Sequence, residues 1–346
     1  MTLQKVIITE SINRQLVKTL EQINYTKLAV LVDENTLKHC YPILESELPE
    51  HAIIQIKSGE EFKTLATCNH VWKELTALAF DHKGLLINIG GGVIGDLGGF
   101  SARAFKRGIQ FLNIPTTLLA QVDASIGGKL GVDFNGLKNH IGLFSEPDQV
   151  LIDPIFLKTL PVEELRSGFA EVIKHNLISD ATNWKKLLKV SLDSMNWMNV
   201  IDHSVKVKES VVASDPLEDG PRIILNFGHT IGHALETYCM TSGKKILHGE
   251  AVAAGMIMES LVSYRKGLIG KLQLAEIESY IDSVFQRVSI NENEISDIAS
   301  FAIQDKKNKG NTIYAALLED IGSALWDVEL TSEDIVQSIR YYTNYT

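Results

Sequence analysis

The apolar run Leu85 to Ile89 ends in three glycines, Gly90, Gly91 and Gly92, and a helix-compatible segment follows at once. No other stretch restricts the fold as much. A short, largely apolar run, interrupted only by Asn88, suits a strand buried on both faces of a parallel sheet. A turn without side chains between that strand and a helix lets backbone N–H groups and the positive end of the helix dipole face an anion. Gly90, Gly92 and Gly95 also satisfy the dinucleotide-binding spacing G-x-G-x-x-G, a weak signal when alone. The acidic residue that usually takes a ribose hydroxyl does not follow, because the next strand, Ile109 to Ile114, runs into Pro115-Thr116-Thr117. Asp33 ends the apolar run Leu28 to Val32 and can serve instead if that run is a neighbouring strand. Gly127-Gly128-Lys129 is not a nucleoside triphosphate loop, since Leu130 follows and the earlier glycine is missing.

Short β-rich runs alternate with helical ones up to Asp153. Strands are expected near Lys5 to Thr9, Leu28 to Val32, Ala52 to Lys57, Leu85 to Ile89, Ile109 to Ile114 and Gln149 to Ile152. Such alternation predicts a doubly wound α/β domain on a parallel sheet. Ligands of these sheets sit beyond the carboxyl ends of the strands, where Asp33, Ser58-Gly59-Glu60, Gly90 to Gly92 and Thr116-Thr117 all fall. After Asp153-Pro154 the patterns become long and helical, beginning with Pro161 at a helix start. The expectation is an α/β nucleotide-binding domain over 1–153 and an all-α domain over 154–346, a division that 346 residues also favours.

A net charge of −10 argues against a general nucleic-acid binder or a partner of acidic membranes. Cys40, Cys68 and Cys239 are odd in number and far apart, which suits free thiols in a reducing compartment. There is no apolar run of transmembrane length and no secretory-type leader pattern, so a cytoplasmic protein is expected.

His229 and His233 are four apart and would share one face of a helix. Thr230 stands where a zinc-protease helix has glutamate, so proteolysis is unsupported. His248 follows in Leu247-His248-Gly249-Glu250, and Glu171 lies on a mostly apolar helix face where an unpaired carboxylate is costly. Three such groups with one open position would form a catalytic metal site, although spacing leaves open which three. Arg107, Lys129, Lys138, Lys174, Lys208 and Arg222 lie beside glycine, asparagine or apolar residues, as cations that clamp phosphate or carboxylate do. The run Asp305 to Lys309 reads as a solvated loop.

The series GGGVIGD, IPTTLLAQVDASIGGK, KNHIG, AEVIKH, LNFGHTIGHALE and LHGEAV, in this order from about Asp33 to Lys307, closely resembles the 3-dehydroquinate synthase family. The resemblance implies an α/β nucleotide-binding domain and a helical domain with the active site between them, usually in a homodimer. It implies zinc or cobalt on Glu171, His229 and His248, which assigns His233 to the substrate instead of the ion. It implies NAD contacts at Asp33, Glu60, Lys63, Gly91, Gly92, Val93, Asp96, Thr116, Thr117 and Thr159. Substrate contacts are implied at Arg107, Asp123, Lys129, Lys138, Asn139, Lys174, Lys208, Arg222, Asn226 and His233, with Lys306 or Lys307 completing the set; Asp123, Lys129 and Lys138 also border the cofactor.

The implied substrate is 3-deoxy-D-arabino-heptulosonate 7-phosphate, a phosphorylated sugar acid. Oxidation of its ring alcohol by NAD gives a ketone that acidifies the neighbouring carbon and permits loss of phosphate. Reduction, ring opening and an intramolecular aldol step then give 3-dehydroquinate. Other sugar-phosphate cyclases and glycerol-type metal-dependent dehydrogenases share the two-domain plan. Two positions depart from the usual family pattern, Leu130 for threonine and Leu137 for glycine, and neither is one of the implied site residues.

Overall fold

The computed structural model describes residues 5–303 and 313–343. The chain divides into two units, Met1–Pro161 with Trp197–Val205, and Val162–Asn196 with Lys206–Thr346.

The first unit is built on six parallel strands in the order β1-β8-β5-β4-β2-β3. They are β1 (Val6–Ile8), β2 (Leu28–Asp33), β3 (Ala52–Ile56), β4 (Leu85–Gly90), β5 (Gln110–Pro115) and β8 (Gln149–Ile152). All six expected strands are present. Helices α1 (Ile12–Gln22), α2 (Glu34–His39), α3 (Tyr41–Leu44), α4 (Leu65–Ala77) and α5 (Gly92–Ala104) connect them. Alternate residues of the strands enter two apolar cores: Leu31, Leu86 and Phe111 go to one, Val30, Val32, Leu85, Ile87, Leu112 and Leu151 to the other. Strand β2 leads outward to β3, whereas its neighbour β4 leads the opposite way to β5. The topological switch point therefore lies between β2 and β4, whose carboxyl ends are Asp33 and Gly90. Asp33 and the glycine turn end adjacent strands, the arrangement anticipated from the sequence.

One element of this unit was not anticipated, the antiparallel hairpin β6 (Lys129–Phe134) and β7 (Leu137–Phe144). Its two-residue turn is Asn135-Gly136, both with positive φ (51° and 76°), as a type I′ turn requires. Leu130 is a core residue of this unit, packed where Gly99 leaves room, and Leu137 is exposed on the hairpin. The family departures thus lie one in the core and one at the surface. The unit also extends past Asp153 to Pro161, because the turn Pro154–Thr159 carries Ile155 and Phe156 into the core.

The second unit is mostly helical: α6 (Val162–Ser179), α7 (Ala181–Leu187), the latter part of α8 (Trp197–Ser214), α9 (His229–Thr241), α10 (His248–Arg265), α11 (Lys271–Val284), α12 (Ile295–Ile303) and α13 (Ser332–Thr343). It is not wholly α, because β9 (Ile313–Asp320) and β10 (Ser323–Leu330) form an antiparallel hairpin turning at Gly322. Buried Ile313, Ala315, Leu317 and Leu318 give β9 its apolar content. No helix among the described residues is long and apolar enough to cross a membrane.

Candidate active site

In the first unit, helix α5 starts directly from the glycine turn, and its N-cap, Gly91, provides no side-chain cap. The first-turn N–H groups, which have no partner within a helix, face outward from the strand end. A Cβ on Gly91 would lie 3.0 Å from Thr117 Cγ2, so a side chain there would crowd the approach to that turn. Val93 and Asp96 stand on the first turns of α5, and Thr116 and Thr117 directly follow β5. Thr116 N donates to Gly90 O at 3.0 Å, tying the two strand ends together. Asp33 caps α2, its Oδ1 accepting from Thr36 N at 2.8 Å. These residues suit a dinucleotide: an anion cradle at a helix N-terminus with a carboxylate on the adjoining strand.

Lys63 links this cradle to the hairpin. It is buried, and its Nζ donates to Asp96 Oδ2 at 2.7 Å and to Asn139 Oδ1 at 2.6 Å, with Glu60 Oε1 at 3.9 Å. Burial alone would push the ammonium pKa down, but Asp96 and Glu60 outweigh it and hold it above the ordinary value. Asn139 has φ of 48°, and its N–H donates to Asp133 Oδ1 at 2.7 Å. Lys129 and Lys138 are exposed on the same hairpin, Asp123 lies in the π-helical turn Ala120–Ala124, and Thr159 ends the turn after β8. Arg107 is exposed just past the far end of α5. Thirteen helical residues separate that end from Gly91, about 20 Å, so the unit does not bring Arg107 to the glycine turn.

In the second unit, Glu171 and Lys174 lie side by side on α6, 1% and 2% exposed, in direct ionic contact. Glu171 Oε1 accepts no hydrogen bond and lies 3.6 Å from His229 Nε2 and 4.0 Å from His248 Nε2. The two imidazoles are oriented from behind. His229 Nδ1 is 3.2 Å from Phe227 O, an acceptor only, so in the neutral ring Nδ1 carries the proton and Nε2 presents its lone pair towards Glu171. His248 Nδ1 lies 3.4 Å from Glu236 Oε2. A buried carboxylate facing two imidazole lone pairs, each ring held by an oxygen on its other nitrogen, fits a divalent cation. His233, one turn beyond His229, stands edge-on to it with ring centroids 4.9 Å apart. Nitrogens of His229, His233 and His248 all lie within 4.8 Å of one another, so proximity alone would also permit the histidine trio.

His229 and His248 are the first residues of α9 and α10, and glycines let these helices cross closely. A Cβ at Gly255 would lie 1.9 Å from Gly228 O, and one at Gly232 2.8 Å from Ala251 O. Gly249 N donates to Ser167 Oγ at 3.0 Å, which docks the start of α10 on α6 one turn before Glu171. Lys244 donates to both oxygens of Glu294, at 2.7 and 2.9 Å, and steadies the segment leading to His248. Lys208 and Arg222 are buried; Arg222 Nη1 donates to Pro216 O at 2.7 Å, and Asn226 Nδ2 to Glu218 Oε1 at 2.8 Å. Lys306 and Lys307 lie outside the described residues.

Comparison with known proteins decides the family. The family model for the 3-dehydroquinate synthase N-terminal domain matches residues 53–167, and that for its C-terminal domain matches residues 168–308. The chain belongs to the 3-dehydroquinate synthase family. A 3-dehydroquinate synthase from Parabacteroides distasonis is 38% identical over 348 residues, covering 99% of this chain and 98% of that one. Two solved relatives share the fold. The 2-epi-5-epi-valiolone synthase from Streptomyces hygroscopicus, with NAD+ and Zn2+ bound, has a TM-score of 0.86 at 22% identity, covering 100% of this chain and 98% of its own. A 2-deoxy-scyllo-inosose synthase complexed with carbaglucose-6-phosphate, NAD+ and Co2+ has a TM-score of 0.82 at 23% identity, covering 97% and 96%. In this 3-dehydroquinate synthase family member, Glu236 and Glu259 carry structural signals that sequence reading passed over. Each is a carboxylate on a largely apolar helix, the same signal that had singled out Glu171.

Proposed function

We propose that this chain converts 3-deoxy-D-arabino-heptulosonate 7-phosphate to 3-dehydroquinate and phosphate, as a carbon–oxygen lyase that uses NAD and zinc or cobalt. The observation that carries this reading is the buried Glu171 carboxylate facing the Nε2 atoms of His229 and His248, in a chain that also has the uncapped glycine turn. When bound, NAD supplies a reversible acceptor for the ring hydrogen and the metal supplies a Lewis acid for the substrate oxygens.

The protein's own groups position the substrate. Lys174, Lys208 and Arg222 present buried cationic side chains, which suits a substrate with both phosphate and carboxylate. Asn226 and His233 offer hydrogen-bonding groups for hydroxyls, while Asp123, Lys129, Lys138 and Asn139 are assigned to the substrate from the first unit. Gly91, Gly92 and Val93 would hold the pyrophosphate on N–H groups, with Asp33 on a ribose hydroxyl, and Glu60, Lys63, Asp96, Thr116, Thr117 and Thr159 around the remainder. No side chain is assigned as sole base for phosphate loss, since the leaving phosphate can take that proton. Arg107, exposed beyond α5, is the contact for which a homodimeric partner is most relevant.

Purified protein incubated with NAD, zinc or cobalt and the heptulosonate phosphate should release phosphate and 3-dehydroquinate in equal amounts without net NADH. Glu171→Gln, His229→Ala and His248→Ala should each lose bound metal by elemental analysis; full occupancy in any one removes that residue from the ligand set. No phosphate release from folded, metal-loaded protein rejects the reading and directs attention to other sugar phosphates. Accumulating NADH would mark a dehydrogenase.

A further inference from the structure

Helix α9 begins at His229 without a cap of its own. Its N-cap, Gly228, has no side chain and sits in the left-handed region at φ of 80°. The N–H groups of that first turn must find acceptors elsewhere, because nothing within a helix can reach them. Two of them are taken by one residue of another helix. Glu259, in the middle of α10 and wholly buried, accepts from Gly228 N at 2.6 Å through Oε2 and from Ile231 N at 3.0 Å through Oε1. Those two N–H groups flank His229. A carboxyl group at a helix N-terminus is also electrostatically favoured, and with both oxygens engaged it fixes the turn in orientation as well as in place.

We propose that Glu259 is a positioning residue for the metal site, acting through the backbone of His229. This rests on the reading of His229 and His248 as metal ligands. Its consequence is that α10 sets both ligands: the helix offers His248 as its first residue and holds His229 through Glu259. The close crossing at Gly228 and Gly255 allows the carboxyl group to reach, since a Cβ at Gly228 would lie 2.6 Å from Met256 Cγ. Separation of the two imidazoles is then a property of one rigid helix pair. In Glu259→Gln the side chain keeps its length, but one oxygen becomes an amide NH2 that confronts a backbone N–H. One of the two contacts is lost and replaced by a donor facing a donor.

The test uses the full chain loaded with Co2+, read by its visible ligand-field spectrum and by the rate at which a chelator in excess removes the ion. Glu259→Gln should alter the spectrum and speed Co2+ release by about 10- to 100-fold, the range for residues that orient metal ligands. NAD affinity should stay within twofold, because the cofactor residues belong to the other unit. Glu259→Asp keeps both oxygens and loses one methylene; it should fall between parent and Gln variant, and it takes over the test if the Gln variant does not fold. In the parent protein, which needs no substitution, the Gly228 and Ile231 amides should be among the slowest of the second unit to exchange with deuterium. A parent-like spectrum and release rate in either variant, or fast exchange at those two amides, overturns the inference. A parent protein that takes up no Co2+ at all overturns the metal reading, and this inference with it.

Discussion

Lys63 shows how much of the first unit's chemistry rests on one side chain. Its ammonium is shared by Asp96, on α5, and Asn139, on the β6–β7 hairpin. Replacing it with methionine keeps the bulk and removes the charge, leaving Asp96 and Asn139 without their common donor. Removing one partner of a fully buried pair costs about 3–5 kcal/mol; Asp96 retains some access to solvent, so about 2–3 kcal/mol is expected by urea unfolding. NAD affinity should also fall at least tenfold, measured by titration calorimetry. Unchanged stability and NAD affinity in Lys63→Met would separate Lys63 from the cofactor. Nothing in Glu60-Glu61-Phe62-Lys63 marks this lysine in the sequence, and only the family resemblance singled it out. Asp33 and Gly90 to Gly92 were readable from the strand pattern itself, because a strand end fixes where a ligand can sit. The metal set lay between these cases. Helical spacing joined His229 to His233, but Glu171 reaches the cluster from a helix remote in sequence, which no local period reveals.

At the scale of elements, the crossing of α9 and α10 sets the tolerance of the second unit. Adding a methyl group at Gly255 meets a backbone carbonyl, which cannot swing aside as a side-chain end can. Gly255→Ala should therefore cost at least the ~1–3 kcal/mol typical of overpacking and should lower metal occupancy. The comparison is Gly136→Ala, in the β6–β7 turn. There φ is 76° and nothing lies within 4 Å of an added Cβ, so about 1–2 kcal/mol of backbone strain is expected with metal retained. Melting curves and elemental analysis of both variants read this; equal effects would mean that the helix crossing does not set the site. The parallel strands were recognisable because each is a short, mostly apolar run, even though Gln55, Asn88 and Asn113 interrupt three of them. The two hairpins were not. β7 is largely exposed and has little alternation, although Asn135-Gly136 was a usable turn signal, and the apolar part of β9, Ala315 to Leu318, reads equally well as helix.

At the scale of the molecule, the assigned cofactor residues fall in one unit and all three assigned metal ligands in the other. An ion that binds only the folded state stabilises by mass action what holds it. Chelation should thus speed hydrogen exchange in α6 near Glu171 and at the starts of α9 and α10, and leave β2, β4 and β5 close to their original rates. A uniform rise over both units would show instead that they open together. The first unit also includes Trp197–Val205, a segment that follows α6 and α7 in the chain. In chain order this segment lies after Glu171 and Lys174 and before His229 and His248. A cut at Pro161 would therefore sever Trp197–Val205 from the rest of the first unit, although every residue assigned to NAD precedes the cut.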